Sequence, residues 1–76
     1  MKDFERITHD PAVMGGKPCI RGLRVTVGML VSHIAAGYTP DQIIEKYPYV
    51  EKEDIQQALA YAAWRLEEQE ISLIPS

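Results

Sequence analysis

Between Thr26 and Leu66 the chain is punctuated into three helical segments with marked ends, which leaves few folds open to it. Thr26 is a capping hydroxyl ahead of Val27, Leu30, Val31 and Ile34, apolar residues on one helical face, and Gly37 supplies a left-handed stop. This predicts a helix over about residues 27–36. Thr39-Pro40-Asp41-Gln42 then places a cap, a proline at the first helical position and a glutamine at the third, with Tyr38 and Ile43 set as a hydrophobic staple. That helix is expected to bury Ile43, Ile44 and Tyr47 and to stop at Pro48. A third helix starts near Lys52. Glu53 and Asp54 in its first turn suit the helix dipole, and Ile55, Ala58, Leu59, Ala62, Ala63 and Leu66 form an apolar stripe expected to face the core. Three helices in this order make a tri-helical arrangement of the helix-turn-helix kind.

The first 25 residues read differently. Phe4 to His9 alternates loosely before Asp10-Pro11, where the proline forces a turn. Pro18 to Ile20 and Leu23 to Val25 flank Arg21-Gly22, which resembles a tight hairpin turn with glycine supplying a positive φ. Strands this short need packing from elsewhere. The expectation is a single α+β domain over residues 1–76, mainly α: a short β-like basic arm or hairpin (1–25), a three-helix core (26–70) and a tail (71–76).

Charge follows the same division. Residues 1–25 carry five Lys/Arg against three Asp/Glu, whereas residues 26–76 carry three against eight. The first segment is built to meet an anion or an acidic partner. A 76-residue chain buries only roughly 60% of its unfolded surface, so self-association as a homodimer would help it. One cysteine, Cys19, excludes an internal disulfide. With no signal-like segment and no apolar run near the ~18 residues of a membrane span, a cytoplasmic protein without a membrane role is expected.

Two surfaces are candidates for function. In the first, Gly15 and Gly16 free the backbone while Lys17, Arg21 and Arg24 bring charge, so the loop could hold a phosphate or carboxylate. It lacks the leading glycine and the Ser/Thr of a Walker loop. The competing reading is that the glycines only let a hairpin pack and the arginines pair with the chain's own carboxylates. In the second, Gln57, Ala60, Tyr61 and Trp64 fall roughly opposite the stripe of the third helix, as a face for a partner or a second copy. The alternative is that the arm or the tail, Ile71 to Pro75, folds back over them. Major-groove reading by the helices is disfavoured, because the second and third helices carry mostly acidic charge. Catalysis is not expected: no spacing brings Cys19 to His9 or His33. Nor is a metal or cofactor, since one cysteine and two separated histidines make no ligand set.

The run Gly15-Gly16-Lys17-Pro18-Cys19-Ile20-Arg21-Gly22-Leu23-Arg24-Val25-Thr26-Val27, followed by Ala35 to Ile44, Tyr47-Pro48-Tyr49-Val50 and Glu53 to Ala62, resembles the small prokaryotic family known as domain of unknown function 433. The resemblance covers about residues 4–66. This chain has Leu23 where the family commonly has threonine, and Glu51 where a Ser or Thr commonly opens the last helix. The resemblance implies a homeodomain-like helix-turn-helix fold. For some members it implies the antitoxin role of a VapB-like pair whose toxin is a small PIN-type ribonuclease. The function expected is therefore binding: neutralisation of a small nuclease through Gln57, Tyr61 and Trp64, with operator DNA held by Lys17, Arg21 and Arg24. The rival expectation is a structural homo-oligomer or interaction module with no nucleic-acid role.

Overall fold

The computed structural model describes residues 4–68. Within it the chain is mainly helical, with two short strands ahead of three helices: β1 (Ile7–Thr8), β2 (Cys19–Ile20), α1 (Val27–Ala35), α2 (Pro40–Lys46) and α3 (Lys52–Glu68). The expected tail at 71–76, and the last two residues assigned to the core, lie outside the described residues.

The helix boundaries follow their sequence signals. Thr26 Oγ1 accepts from Met29 N at 3.0 Å, satisfying one of the amides a helix start leaves open. At the far end of α1, Tyr38 N donates to His33 O and Gly37 N to Ile34 O. With Gly37 at φ 99°, this is the paired closure of a Schellman motif. Thr39 and Gln42 cap α2 reciprocally, at 3.1 and 2.8 Å. The expected staple is different: Ile43 is in the core, while the Tyr38 ring stands edge-on to His33, with centroids 4.8 Å apart.

The arm is held by β2, which runs through its middle. β2 pairs antiparallel with β1, Ile7 opposite Ile20 and Thr8 opposite Cys19, and bridges on its other side to Thr26. Arg21 (φ 46°) and Gly22 (φ 74°) form the turn between Ile20 and Leu23, closed by Leu23 N to Ile20 O at 2.7 Å. Positive φ at both central residues is the pattern of a type I′ turn. The strand expected over Phe4 to His9 is only two residues long. Beyond it, Asp10 starts its own turn, with Oδ1 accepting from Ala12 N and its carbonyl from Val13 N.

Ile20 and Val25 from the arm, Val27 and Leu30 from α1, Ile43 from α2, Val50, and Ile55, Ala58 and Tyr61 from α3 make one core. α1 packs chiefly on α3. The stripe expected for α3 needs correcting by a rotation. Ile55 and Ala58 are buried, but the line continues to Tyr61, 8% exposed, whereas Leu59, Ala63 and Leu66 face outward. The arm is the cause. Phe4 packs on α3 against Tyr61 and Trp64, with centroids 5.2 and 5.5 Å apart, so the helix turns that side inward. No helix among the described residues is long and apolar enough to cross a membrane.

Candidate functional site

A carboxylate with no exposed surface anchors the polar chemistry of the molecule. Asp54, in the first turn of α3, is 0% exposed, and the glutamate preceding α3 sets its orientation. Glu51 occupies the cap position, and its amide donates to Asp54 Oδ2 at 2.9 Å, half of a capping box. Arg21 approaches from the hairpin turn: Nη2 reaches Oδ2 at 2.8 Å and Nε reaches Oδ1 at 3.1 Å. Arg6 approaches from the arm, with Nη1 at 2.8 Å from Oδ1 and also 2.8 Å from Glu51 Oε1. Arg21 donates further to the Tyr49 carbonyl, and Arg6 reaches Glu53 at 3.3 Å. A buried charge is tolerable only when partners replace its water, and here two guanidiniums and an amide do so.

The titration of these groups follows the geometry. Burial pushes the Asp54 carboxyl up, but hydrogen bonds from Arg21, the Glu51 amide and Arg6 more than offset it, leaving it below its usual 3.8. Arg6 is held above its ordinary value, first by its hydrogen bond to Glu51 and then by that to Asp54. Arg21 is raised by Asp54.

The three loop cations expected to meet an anion therefore separate. Arg21 does not reach outward as expected. Its guanidinium folds onto Asp54, because the type I′ turn points it at α3 and the buried carboxylate has no water to compete. Lys17 and Arg24 are exposed and join no ion pair among the described residues. Around them the loop is set by Met14, Gly15 and Gly16, all at positive φ.

The partner face expected on α3 is also placed differently. Tyr61 does not stand opposite the core; it belongs to it, and its hydroxyl shares a 3.0 Å hydrogen bond with His9 Nε2. Gln57 is taken by the arm, its Oε1 accepting from Arg6 N. Trp64 is half-buried beside Phe4 and Tyr61. The arm thus covers the Gln57, Tyr61 and Trp64 part of this face, as one alternative read from the sequence had it, and leaves Ala60 exposed. Cys19 is buried, its thiol directed to the Lys17 carbonyl, and His33 bonds Met29 O and Lys46 Nζ.

A different aromatic surface went unread in the sequence. Tyr38, His33, Tyr47 and Tyr49 stand in a row, successive ring centroids 4.8, 5.5 and 6.3 Å apart. Lys46 Nζ lies 5.5 Å from the Tyr38 ring and 5.6 Å from that of Tyr47, within range of cation–π attraction. Tyr38 is 38% and Tyr49 53% exposed. Tyr47-Pro48-Tyr49 was a detectable signal, since it places two large aromatics in the connection after a helix-ending proline, and connections run over the surface.

These features define a class: a small, mainly helical α+β domain whose N-terminal arm is pinned to a three-helix body by a buried carboxylate between two arginines. The chain belongs to the family described as protein of unknown function DUF433, whose sequence profile matches residues 7–62. It is 36% identical over 58 residues to the uncharacterized protein y4eO of Sinorhizobium fredii (strain NBRC 101917 / NGR234), covering 76% of this chain and 26% of that protein. The crystal structure of a DUF433 member from Anabaena variabilis superposes with a TM-score of 0.75 at 30% identity, covering 83% of this chain and 62% of the other. The chain thus spans about a quarter of the Sinorhizobium protein and under two thirds of the Anabaena chain.

Proposed function

We propose that the protein is a non-catalytic binding domain, antitoxin-like in action, that neutralises a small ribonuclease partner by occupying a surface on it. The observation that carries a partner-binding role is the tyrosine row. Rigid aromatics that stay exposed beside a cation are the side chains that dominate binding energy in protein interfaces, and this row is held in place by α1, α2 and the turn after Pro48. The ribonuclease class of the partner comes from the family resemblance. Replacing Tyr38 and Tyr49 together by alanine removes two exposed rings without opening the core. It is expected to weaken capture of the partner, and rescue of cells from it, by about a hundred-fold or more, at about 2 kcal/mol per hot-spot ring. Undiminished capture by the double variant would rule this surface out.

DNA contact by the arm is a second reading, supported by the exposure of Lys17 and Arg24. Removing two cations that each neutralise a phosphate should lower the slope of log affinity against log salt by about 1.8. The Lys17→Ala, Arg24→Ala variant is therefore expected to bind operator DNA with a visibly shallower salt dependence. An unchanged slope would place any DNA contact elsewhere. Arg21 is no longer a useful probe of this question, because removing it disturbs Asp54.

A further inference from the structure

The tyrosine row has a histidine within it that is bonded through both ring nitrogens. His33 Nδ1 lies 2.7 Å from Met29 O, one turn back on α1, and Nε2 lies 3.3 Å from Lys46 Nζ on α2. A carbonyl oxygen only accepts, so Nδ1 carries the hydrogen. In the neutral ring Nε2 then keeps a free lone pair, and the lysine ammonium donates to it. The same ammonium lies 5.5 Å from the Tyr38 ring and 5.6 Å from that of Tyr47. One acceptor atom thus sets where the cation of the row sits.

Protonation removes that acceptor. Nε2 then carries a hydrogen of its own, so donor faces donor across a 3.3 Å gap with a positive charge on each side. One of the two groups has to move. His33 is half-buried, keeps its Nδ1 bond to Met29 O in either form, and stands edge-on to Tyr38 and Tyr47, with centroids 4.8 and 5.5 Å away. It also lies in the last turn of α1, where the carbonyl end of a helix suits a cation. Lys46 is exposed, ends α2 and has a flexible stem with water to receive its charge. The lysine is the group that leaves.

The surrounding charges do not hold it back. His33 is the sole ionisable residue of α1. On α2, Asp41 pairs with Lys52 of α3, and Glu45 joins no ion pair among the described residues. Glu51, Glu53 and Asp54 are engaged by the arginines of the arm. Among the described residues no carboxylate lies within salt-bridge distance of the His33 ring, whose other neighbours are the phenol rings of Tyr38 and Tyr47.

We infer that His33 is a proton-operated latch on Lys46. Neutral, it holds the ammonium against the tyrosine row; charged, it releases the lysine to solvent and leaves the Tyr38 and Tyr47 rings bare. Only the consequence for docking rests on the reading of the row as a partner surface, because the motion of Lys46 is a property of the chain alone. Nuclear magnetic resonance on the full chain, with no partner present, tests it. Two-bond proton–nitrogen spectra are expected to show His33 as the Nδ1–H tautomer at about pH 8. The Lys46 side-chain protons, shifted upfield by the rings, are expected to lose most of that shift as the pH falls to about 5, with the same midpoint as the His33 ring. His33→Phe keeps an aromatic ring in the row without a ring nitrogen, and its Lys46 protons are expected to stay still over the same range. An Nε2–H tautomer overturns the inference, as do Lys46 protons that ignore the His33 midpoint or move equally in His33→Phe. A working latch in a chain whose Tyr38, Tyr49 double variant still captures the partner would uphold the inference and remove only docking from the row.

Discussion

Replacing Asp54 by alanine is expected to lower the free energy of unfolding by about 3 kcal/mol. The cost comes from leaving Arg21 without a carboxylate, from leaving Arg6 with only the exposed Glu51 and Glu53, and from unpairing the Glu51 amide at the start of α3. The arginine side chains keep 23% and 37% exposure, so water recovers part of their solvation, which sets the figure at the low end for a broken buried pair. A chain of this length has roughly 4–11 kcal/mol in total, so the loss is a large share of it. Urea titration followed by circular dichroism should show the midpoint fall. A variant within about 1 kcal/mol of the native chain would mean that the carboxylate contributes little beyond what water can replace. The same residue sets the acid limb. Its folded pKa is depressed below 3.8, so its contribution is complete above that value and is lost as pH falls through the folded pKa. Asp54→Asn is expected to flatten this part of the stability profile.

Tyr61→Ala is expected to cost about 3–5 kcal/mol, the range for truncating a buried aromatic. The ring is 8% exposed, has Phe4 edge-on at 5.2 Å and Trp64 at 5.9 Å, and lies over the junction of arm and α3. A cavity there loosens the arm as well as the core. Any loss of partner binding in this variant would therefore report unfolding. Tyr61→Phe separates the two effects. It removes only the hydrogen bond with His9 and is expected to cost about 0.5–1.5 kcal/mol. Thermal melts of both variants decide the matter: a native-like melting temperature for Tyr61→Ala would return this residue to the surface, where its sequence position first suggested it.

Much of the helical body was legible, because its signals are local. Thr26, Gly37 and the Thr39–Gln42 pair act on backbone groups within a few residues of themselves, so spacing alone identifies them. The hairpin turn was legible for the same reason, through Gly22. The orientation of α3 was not. Its sequence offers two apolar faces, and which one is buried depends on Phe4, more than 50 residues away in the chain, packing against Tyr61. Asp54 reads in the sequence as a first-turn charge suited to the helix dipole. Nothing near it in sequence shows that Arg6 and Arg21 will converge on it, although two arginines in an arm of very short strands were a hint that the arm needed a partner. The tyrosine row lay at element ends, where periodicity carries no information.

The separation of Arg6 and Asp54, 48 residues, also bears on the order of events in folding. Closing so long a loop costs entropy before any contact repays it, whereas the capped helices form from neighbours and α1 meets α3 over a shorter stretch of chain. The arm is thus expected to dock after the rate-limiting barrier and to leave before it on the way back. In a chevron plot, weakening the Asp54 anchor should then steer most of its effect into faster unfolding, with the refolding rate little changed. The buried carboxylate would serve less to build the domain than to set how long it stays closed.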